Sequence, residues 1–275
     1  MRVNYALAAV PALLLACGCA RLDHYSAVPL TSTGAAQKGP YLGGTALPNG
    51  LVLVPAPPTP GSPAELFDRA GADQATRTPS GPRWELAAKD ANLAPGRAAA
   101  TFSCAAGVAI SKERTPVLVQ MIDRSSQDLG AATLEVKKHY RRPRPFMVNG
   151  KTTCTPTWER ALRHDGSYPS GHSAIGFGVS LILAEVFPDR AAQIVARGRA
   201  FGDSRRICNV HWLSDIEEGR AMAAATVMRL NADQAFQADL KAALAEVASI
   251  SNQSTVTGPD CAEESRILSQ ASGAK

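Results

Sequence analysis

From residue 116 to residue 140 the apolar side chains Leu118, Ile122, Leu129, Ala132, Val136 and Tyr140 return at helical spacing and share one face. Pro143 and Pro145 then end the run, because proline lacks an amide donor and blocks the preceding turn. The same period recurs along much of the chain. It predicts further helices near 64–75, 84–93, 97–110, 173–187, 189–202, 214–231 and 234–250. Ser62 and Pro63 supply a cap and first turn at the start of the series, and Pro188 stops the helix before it. Alternating strand patterns are weak throughout, and aromatic residues make up only 5% of the chain. The expected fold class is all-α, a helical bundle domain.

The bundle occupies residues 62–250. Residues 20–61 form a Pro/Gly-rich arm or tether, and the segment 54–61 carries too many prolines to be helical. Residues 251–275 form a polar tail, expected to be loose apart from Cys261. Residues 1–19 read as an export signal: Arg2, then an apolar run over 5–16, then small residues. Leu14, Leu15, Ala16 and Cys17 look like a bacterial lipobox, in which Cys17 becomes lipidated and is the first mature residue. Cys19 and simple cleavage are the alternatives. No later apolar run reaches the ~18 residues of a membrane span, so the membrane contact expected is the N-terminal lipid. The chain is therefore expected to be exported, periplasmic and anchored to a bacterial membrane.

Once Cys17 and Cys19 are set aside, Cys104, Cys154, Cys208 and Cys261 remain, an even set that in an exported protein points to disulfides. Their spacing does not match a zinc site. The net charge of +5 suits an anionic substrate. No long basic run interleaved with aromatics argues for nucleic acid, other than nucleotides as substrates.

Three polar clusters interrupt the helical pattern. The first, 137–145, carries Lys137, Lys138, Arg141, Arg142 and Arg144 at a helix end, where they offer cations to one anion or, equally well, complement the helix dipole. The second is Pro169, Ser170, Gly171 and His172. Ser170 is a good N-cap, Gly171 admits close approach of a ligand, and the free N–H groups of a first turn bind anions; an ordinary capped turn with a surface histidine has the same residues. The third is Ser204 and Arg205, then His211 after five residues and Asp215 after three more. Ser214 and Glu217 read as a capping box, so that His211 precedes a helix starting at Ser214 and Asp215 can hold its ring in one tautomer. Core packing of His211 and Trp212, with Asp215 on the helix dipole, explains the third cluster as well when it is taken alone.

Taken together, the clusters resemble the three-part signature of the phosphatidic-acid-phosphatase type 2 superfamily: Lys-x6-Arg-Pro, Pro-Ser-Gly-His and Ser-Arg-x5-His-x3-Asp, matched at all eleven specified positions. The stretches 86–93, 138–146, 166–172 and 204–212 also resemble the class A bacterial non-specific acid phosphatases, and the likeness runs over residues 62 to 250. Arg206 and Pro143 depart from the expected pattern.

The resemblance implies an acid phosphatase catalytic domain that hydrolyses phosphate monoesters through a phosphohistidine, with no cofactor and no metal. His211 would be the nucleophile, Asp215 its orienting carboxylate and His172 the general acid. Lys137, Arg144, Ser170, Gly171 and Arg205 would hold the phosphoryl oxygens. A homo-oligomer is implied too. Class A enzymes carry cysteines at the positions of Cys154 and Cys208. If Arg144 and His211 share one phosphate those two cysteines approach each other, which leaves Cys104 to pair with Cys261. The competing readings are a phosphatase of lipid phosphates at the membrane surface, a vanadium haloperoxidase, and a phosphate-binding lipoprotein without catalysis.

Overall fold

The computed structural model of the chain describes residues 39–77, 79–250, 256 and 259–271. The expected export signal, with Cys17 and Cys19, lies outside the described residues. The longer helices are α1 (Pro63–Ala75), α2 (Pro82–Asp90), α3 (Pro116–Ala131), α4 (Leu134–Tyr140), α5 (Gly171–Val186), α6 (Ala191–Ile207), α7 (Leu213–Asn231), α8 (Gln234–Ile250) and α9 (Pro259–Ala271). No strand forms among the described residues, and the fold is all-α.

The central helix is α5, which packs against α3, α6 and α7. Its sequence explains why. Ala174, Val179, Ile182 and Leu183 are all buried, so it is apolar on most sides, as an enclosed helix must be. Gly176 and Gly178 let its neighbours come close: a Cβ on Gly176 would lie 2.1 Å from the Phe201 ring of α6, and one on Gly178 would lie 2.3 Å from Leu129 of α3. Ser170 caps α5, its Oγ accepting from the Ser173 N–H at 3.2 Å. The core continues through Phe102, Leu118, Ile122, Ile194 and Phe236, and no helix among the described residues is long and apolar enough to cross a membrane.

The helix expected over 116–140 is two helices. After α3 the Thr133 N–H bonds to the Gly130 carbonyl at 3.1 Å, three residues back, and the Thr133 hydroxyl donates to the same oxygen at 2.8 Å. That back-bonding closes one turn tightly and redirects the chain before α4 begins. Helix α7 begins at Leu213 rather than Ser214. Its first turn is capped by Asp215, whose Oδ2 accepts from the Trp212 N–H at 2.8 Å, while the Ser214 hydroxyl donates to Asp68 at 2.6 Å. Glu217 plays no part in the cap.

Two segments are better ordered than the sequence pattern led us to expect. The part of the arm from Gly39 carries short helices at Gly43–Ala46 and Gly50–Leu53 and packs on the bundle: Tyr41 N–H donates to Asp128 at 2.7 Å, and Val54 is buried. The tail, expected to be loose, contains α9. It is held by the Cys104–Cys261 disulfide, with a Cα–Cα distance of 5.3 Å, by an ion pair from Arg197 Nε to Glu264 at 3.4 Å, and by the Val256 N–H, which donates to the Gly107 carbonyl at 2.9 Å. A second disulfide joins Cys154 to Cys208.

Candidate active site

All three motifs meet at one end of the bundle. Lys137 comes from α4, Arg144 from the loop after it, Ser170, Gly171 and His172 from the start of α5, Arg205 from the last turn of α6, His211 from the α6–α7 loop and Asp215 from the first turn of α7. Lys137, Arg144, Ser170, Arg205, His211 and Asp215 are all buried, and His172 and Gly171 are partly so. Burying this many ionisable groups is costly unless they are paired or a ligand completes them.

The His211 ring is held from both sides. Arg144 Nη1 lies 2.9 Å from Nε2, and Asp215 Oδ2 lies 3.2 Å from Nδ1. A guanidinium can only donate, so Nε2 accepts and the ring proton sits on Nδ1, donated to the carboxylate. Burial, then Arg144, Lys137 and Arg205, push the basicity of His211 well below the ordinary histidine value. The ring is therefore a neutral imidazole with a lone pair on Nε2 among cations.

Asp215 has its own support. Arg142 Nη1 donates to Asp215 Oδ1 at 2.7 Å and to Ser214 Oγ at 2.8 Å, and Arg142 Nη2 donates to Asp68 at 2.7 Å. Burial raises the Asp215 carboxyl above the ordinary carboxylate value; Arg142 and the Trp212 N–H act against that rise. The adjacent loop is fixed by Trp212 Nε1, which donates to the Pro143 carbonyl at 2.8 Å.

The cations converge on the same space. Arg144 is rigidly placed, donating from Nε to the carbonyls of Leu162 and Asp165 and from Nη1 to that of Val210. Lys137 Nζ donates to the Gly166 carbonyl and to Asp165 Oδ2, the latter at 3.3 Å, and Arg144 Nη2 reaches the same Asp165 oxygen at 2.8 Å. Gly166 is needed here, since a Cβ on it would lie 2.7 Å from the Lys137 carbonyl. Burial and the charge of Arg144 lower Lys137 to about 8. Arg205 is lowered to about 9 by burial and Arg144; its Nε is buried with no hydrogen-bond partner among the described residues. A buried guanidinium nitrogen without a partner, close to the charge of Arg144, has a donor to offer an anionic oxygen.

His172 stands across from this group. Its Nε2 lies 3.0 Å from the Ala91 carbonyl, which can only accept, so Nε2 carries a proton and Nδ1 is left for other chemistry. Burial first, and then Arg205, Arg144 and Lys137, push its basicity well down. Behind the site Ser204 Oγ donates to Asp90 at 2.6 Å, and Asp90 is paired with Arg197 at 2.6 Å. Ser204 thus braces α2 against α6. Arg206 turns away, donating to the Gly71 carbonyl at 3.1 Å.

Motif spacing alone did not single out Arg142, Asp68, Asp90 or Asp165. Arg142 lies in the basic run, but nothing in the run separates a guanidinium for a ligand from one for a carboxylate. The backbone does separate them: Arg141 adopts a left-handed conformation, φ 45°, and turns the chain between Lys137 and Arg144.

A family model described as the PAP2 superfamily matches residues 126–236, a span that contains all three motifs. An acid phosphatase of Zymomonas mobilis subsp. mobilis is 37% identical over 201 residues, covering 72% of this chain and 75% of that protein. A non-specific acid phosphatase of Salmonella typhi is 37% identical over 209 residues, 76% of this chain and 84% of its own length. One from Providencia stuartii is 37% identical over 211 residues, covering 76% and 85%.

Proposed function

The chain belongs to the PAP2 superfamily and, within it, to the class A non-specific acid phosphatases, and on that premise we propose that it hydrolyses phosphate monoesters through a covalent phosphohistidine at His211, without a metal ion. The observation that carries this reading is the clamped His211 ring, whose proton is on Nδ1 and whose Nε2 lone pair lies among cations.

In the first step His211 Nε2 attacks phosphorus as the bond to the ester oxygen breaks. The bound phosphoryl anion offsets the surrounding cations, so that His172 enters the step as an imidazolium with Nε2–H on the Ala91 carbonyl; the departing oxygen takes the second proton from Nδ1, and Asp215 stabilises the charge left on the His211 ring. In the second step a water gives its proton back to His172 and attacks phosphorus, the P–N bond breaks and phosphate leaves. Lys137, Arg144, Arg205, the Gly171 N–H and the Ser170 turn hold the equatorial oxygens throughout. Phosphoryl transfer depends chiefly on positioning and charge stabilisation, and three cations supply the charge that metal ions supply elsewhere. The donors proposed for the phosphoryl group are Lys and Arg, and no group of three or more His, Cys, Asp or Glu able to hold a metal ion occurs among the described residues, which supports the metal-free reading.

The test is hydrolysis of p-nitrophenyl phosphate in EDTA, with and without vanadate. Vanadate takes up the five-coordinate geometry of the transition state and should block turnover. Activity that vanishes in EDTA and returns with a divalent cation would overturn the metal-free mechanism.

Export and anchoring through Cys17 belong to the same reading. Their support is the apolar run over 5–16 followed by Leu14, Leu15, Ala16 and Cys17. Mass spectrometry of the mature N-terminus decides it: a diacylated Cys17 is expected, and an unmodified start beyond Cys19 would contradict it.

A further inference from the structure

Asp165 belongs to none of the three motifs, yet it touches two residues of the site. Its Oδ2 accepts from Lys137 Nζ at 3.3 Å and from Arg144 Nη2 at 2.8 Å. These are the two nitrogens through which Lys137 and Arg144 would meet a phosphoryl group. The remaining Arg144 donors are spent on the carbonyls of Leu162, Asp165 and Val210 and on His211 Nε2. A carboxylate oxygen and a phosphoryl oxygen are both anionic acceptors that take charge-assisted bonds from the same cations. Asp165 therefore stands where one oxygen of the ligand would stand.

Its exposure differs from that of its partners. The side chains of Lys137 and Arg144 are 7% and 2% exposed, whereas that of Asp165 is 48% exposed. It sits on a turn after Leu162, at the wall of a cavity of about 450 Å³ that Lys137, Arg142 and His164 also line. The two cations are enclosed by the fold, whereas the carboxylate borders solvent and has room to turn away. Arg142 cannot substitute as its partner, because Asp68 and Asp215 hold that guanidinium.

We propose that Asp165 is a built-in competitor for the phosphoryl group: its carboxylate occupies Lys137 and Arg144 in the empty site, must be displaced by the incoming phosphate, and returns as inorganic phosphate leaves. The inference rests on the assignment of these cations to phosphate. A site that is open only part of the time binds every ligand more weakly by the same factor, the fraction open. Asp165 thereby sets the affinity for phosphoryl ligands and limits product inhibition, acting through Lys137 and Arg144 as a positioning residue.

The experiment compares the full chain with its Asp165→Asn and Asp165→Ser variants at pH 6, below the depressed value of about 8 for Lys137, so that the lysine keeps its charge. Calorimetry reads the dissociation constant of inorganic phosphate, and steady-state kinetics reads the inhibition constant of vanadate and KM for p-nitrophenyl phosphate. Thermal melts check that each variant is folded. All three constants should fall together, by about three- to tenfold, since a half-exposed carboxylate is screened by solvent. Unchanged or larger constants in both variants would overturn the proposal, because Asp165 would then be idle or would be orienting the cations for the ligand. Phosphate binding is read without turnover. A His211→Ala background should therefore show the same tightening, and the competitor role is judged separately from the phosphohistidine.

Discussion

Arg144 donates to His211 Nε2 at 2.9 Å, and this single contact determines where the ring proton is. Because the guanidinium has no lone pair to offer, Nε2 must be bare and Nδ1 must carry the hydrogen, facing Asp215. In the proposed mechanism the nucleophile is thus in its reactive tautomer before any substrate arrives. In that mechanism this bond opens as the ester enters, which frees Nε2 to attack while Arg144 Nη2 meets the phosphoryl group.

Arg142 keeps this arrangement charged on the right atom. Arg142→Ala removes the only side-chain cation bonded, among the described residues, to the fully buried Asp215 and strips Asp68 of the same partner. Breaking a buried pair from one side costs about 3–5 kcal/mol, because the abandoned charge stays buried. We expect that loss in denaturant unfolding at pH 7, and a fall in kcat of at least about a hundredfold as Asp215 loses its hold on the ring. Arg142→Lys should recover part of the stability and less of the activity, since an ammonium cannot fork between Asp68 and Asp215.

The two histidines should separate in a leaving-group series. General acid catalysis contributes about 10²–10⁴-fold, and most where the departing oxygen is basic. His172→Ala should therefore lose far more activity on an alkyl or sugar phosphate than on p-nitrophenyl phosphate, whereas His211→Ala should lose both alike. An equal loss on both substrates in His172→Ala would remove His172 from the role of acid.

The pH profile should show how the acid obtains its proton. In the free enzyme burial and the cations Arg205, Arg144 and Lys137 hold His172 down, so it is neutral where a free histidine begins to charge. A phosphoryl anion placed among those cations offsets them and raises His172. The sign follows: the basic limb of kcat, which reports the bound enzyme, should lie at higher pH than that of kcat/KM, which reports the free enzyme. The comparison is made after correction for the ester's own ionisation near about pH 6. Coincident limbs, or the reverse order, would show that substrate does not recharge His172.

Much of this was legible in the sequence. The motif residues lie at helix ends, where capping and spacing rules are strong, so Ser170 at the head of α5 and Asp215 at the head of α7 could be placed from local pattern. The bundle followed from apolar spacing. What escaped depends on tertiary partners. The break at Thr133 needs a hydroxyl to choose the Gly130 carbonyl over the helical ladder. Helix α9 is polar, and it is tied down by Cys104 and Arg197, which lie far away in the sequence. Asp68 and Asp165 are ordinary turn and helix carboxylates until the fold brings Arg142, Lys137 and Arg144 to them.

The Cys104–Cys261 link, closing a sequence separation of 157 residues, should carry much of the attachment of α9. Cys104→Ala with Cys261→Ala should lower unfolding stability by about 2–5 kcal/mol. It should also speed amide exchange in α9 while leaving α5 protected. Exchange in α9 that does not change would show that Glu264 and its neighbours hold the helix unaided.

The central claim is that the phosphoryl group rests on His211 during turnover. Rapid quench of the enzyme with labelled substrate, followed by peptide mapping, tests it directly. The account predicts a phosphoenzyme that is labile in acid and stable in alkali, located on the peptide containing His211 and absent from His211→Ala. Label on a serine, or turnover that persists in His211→Ala, would contradict it.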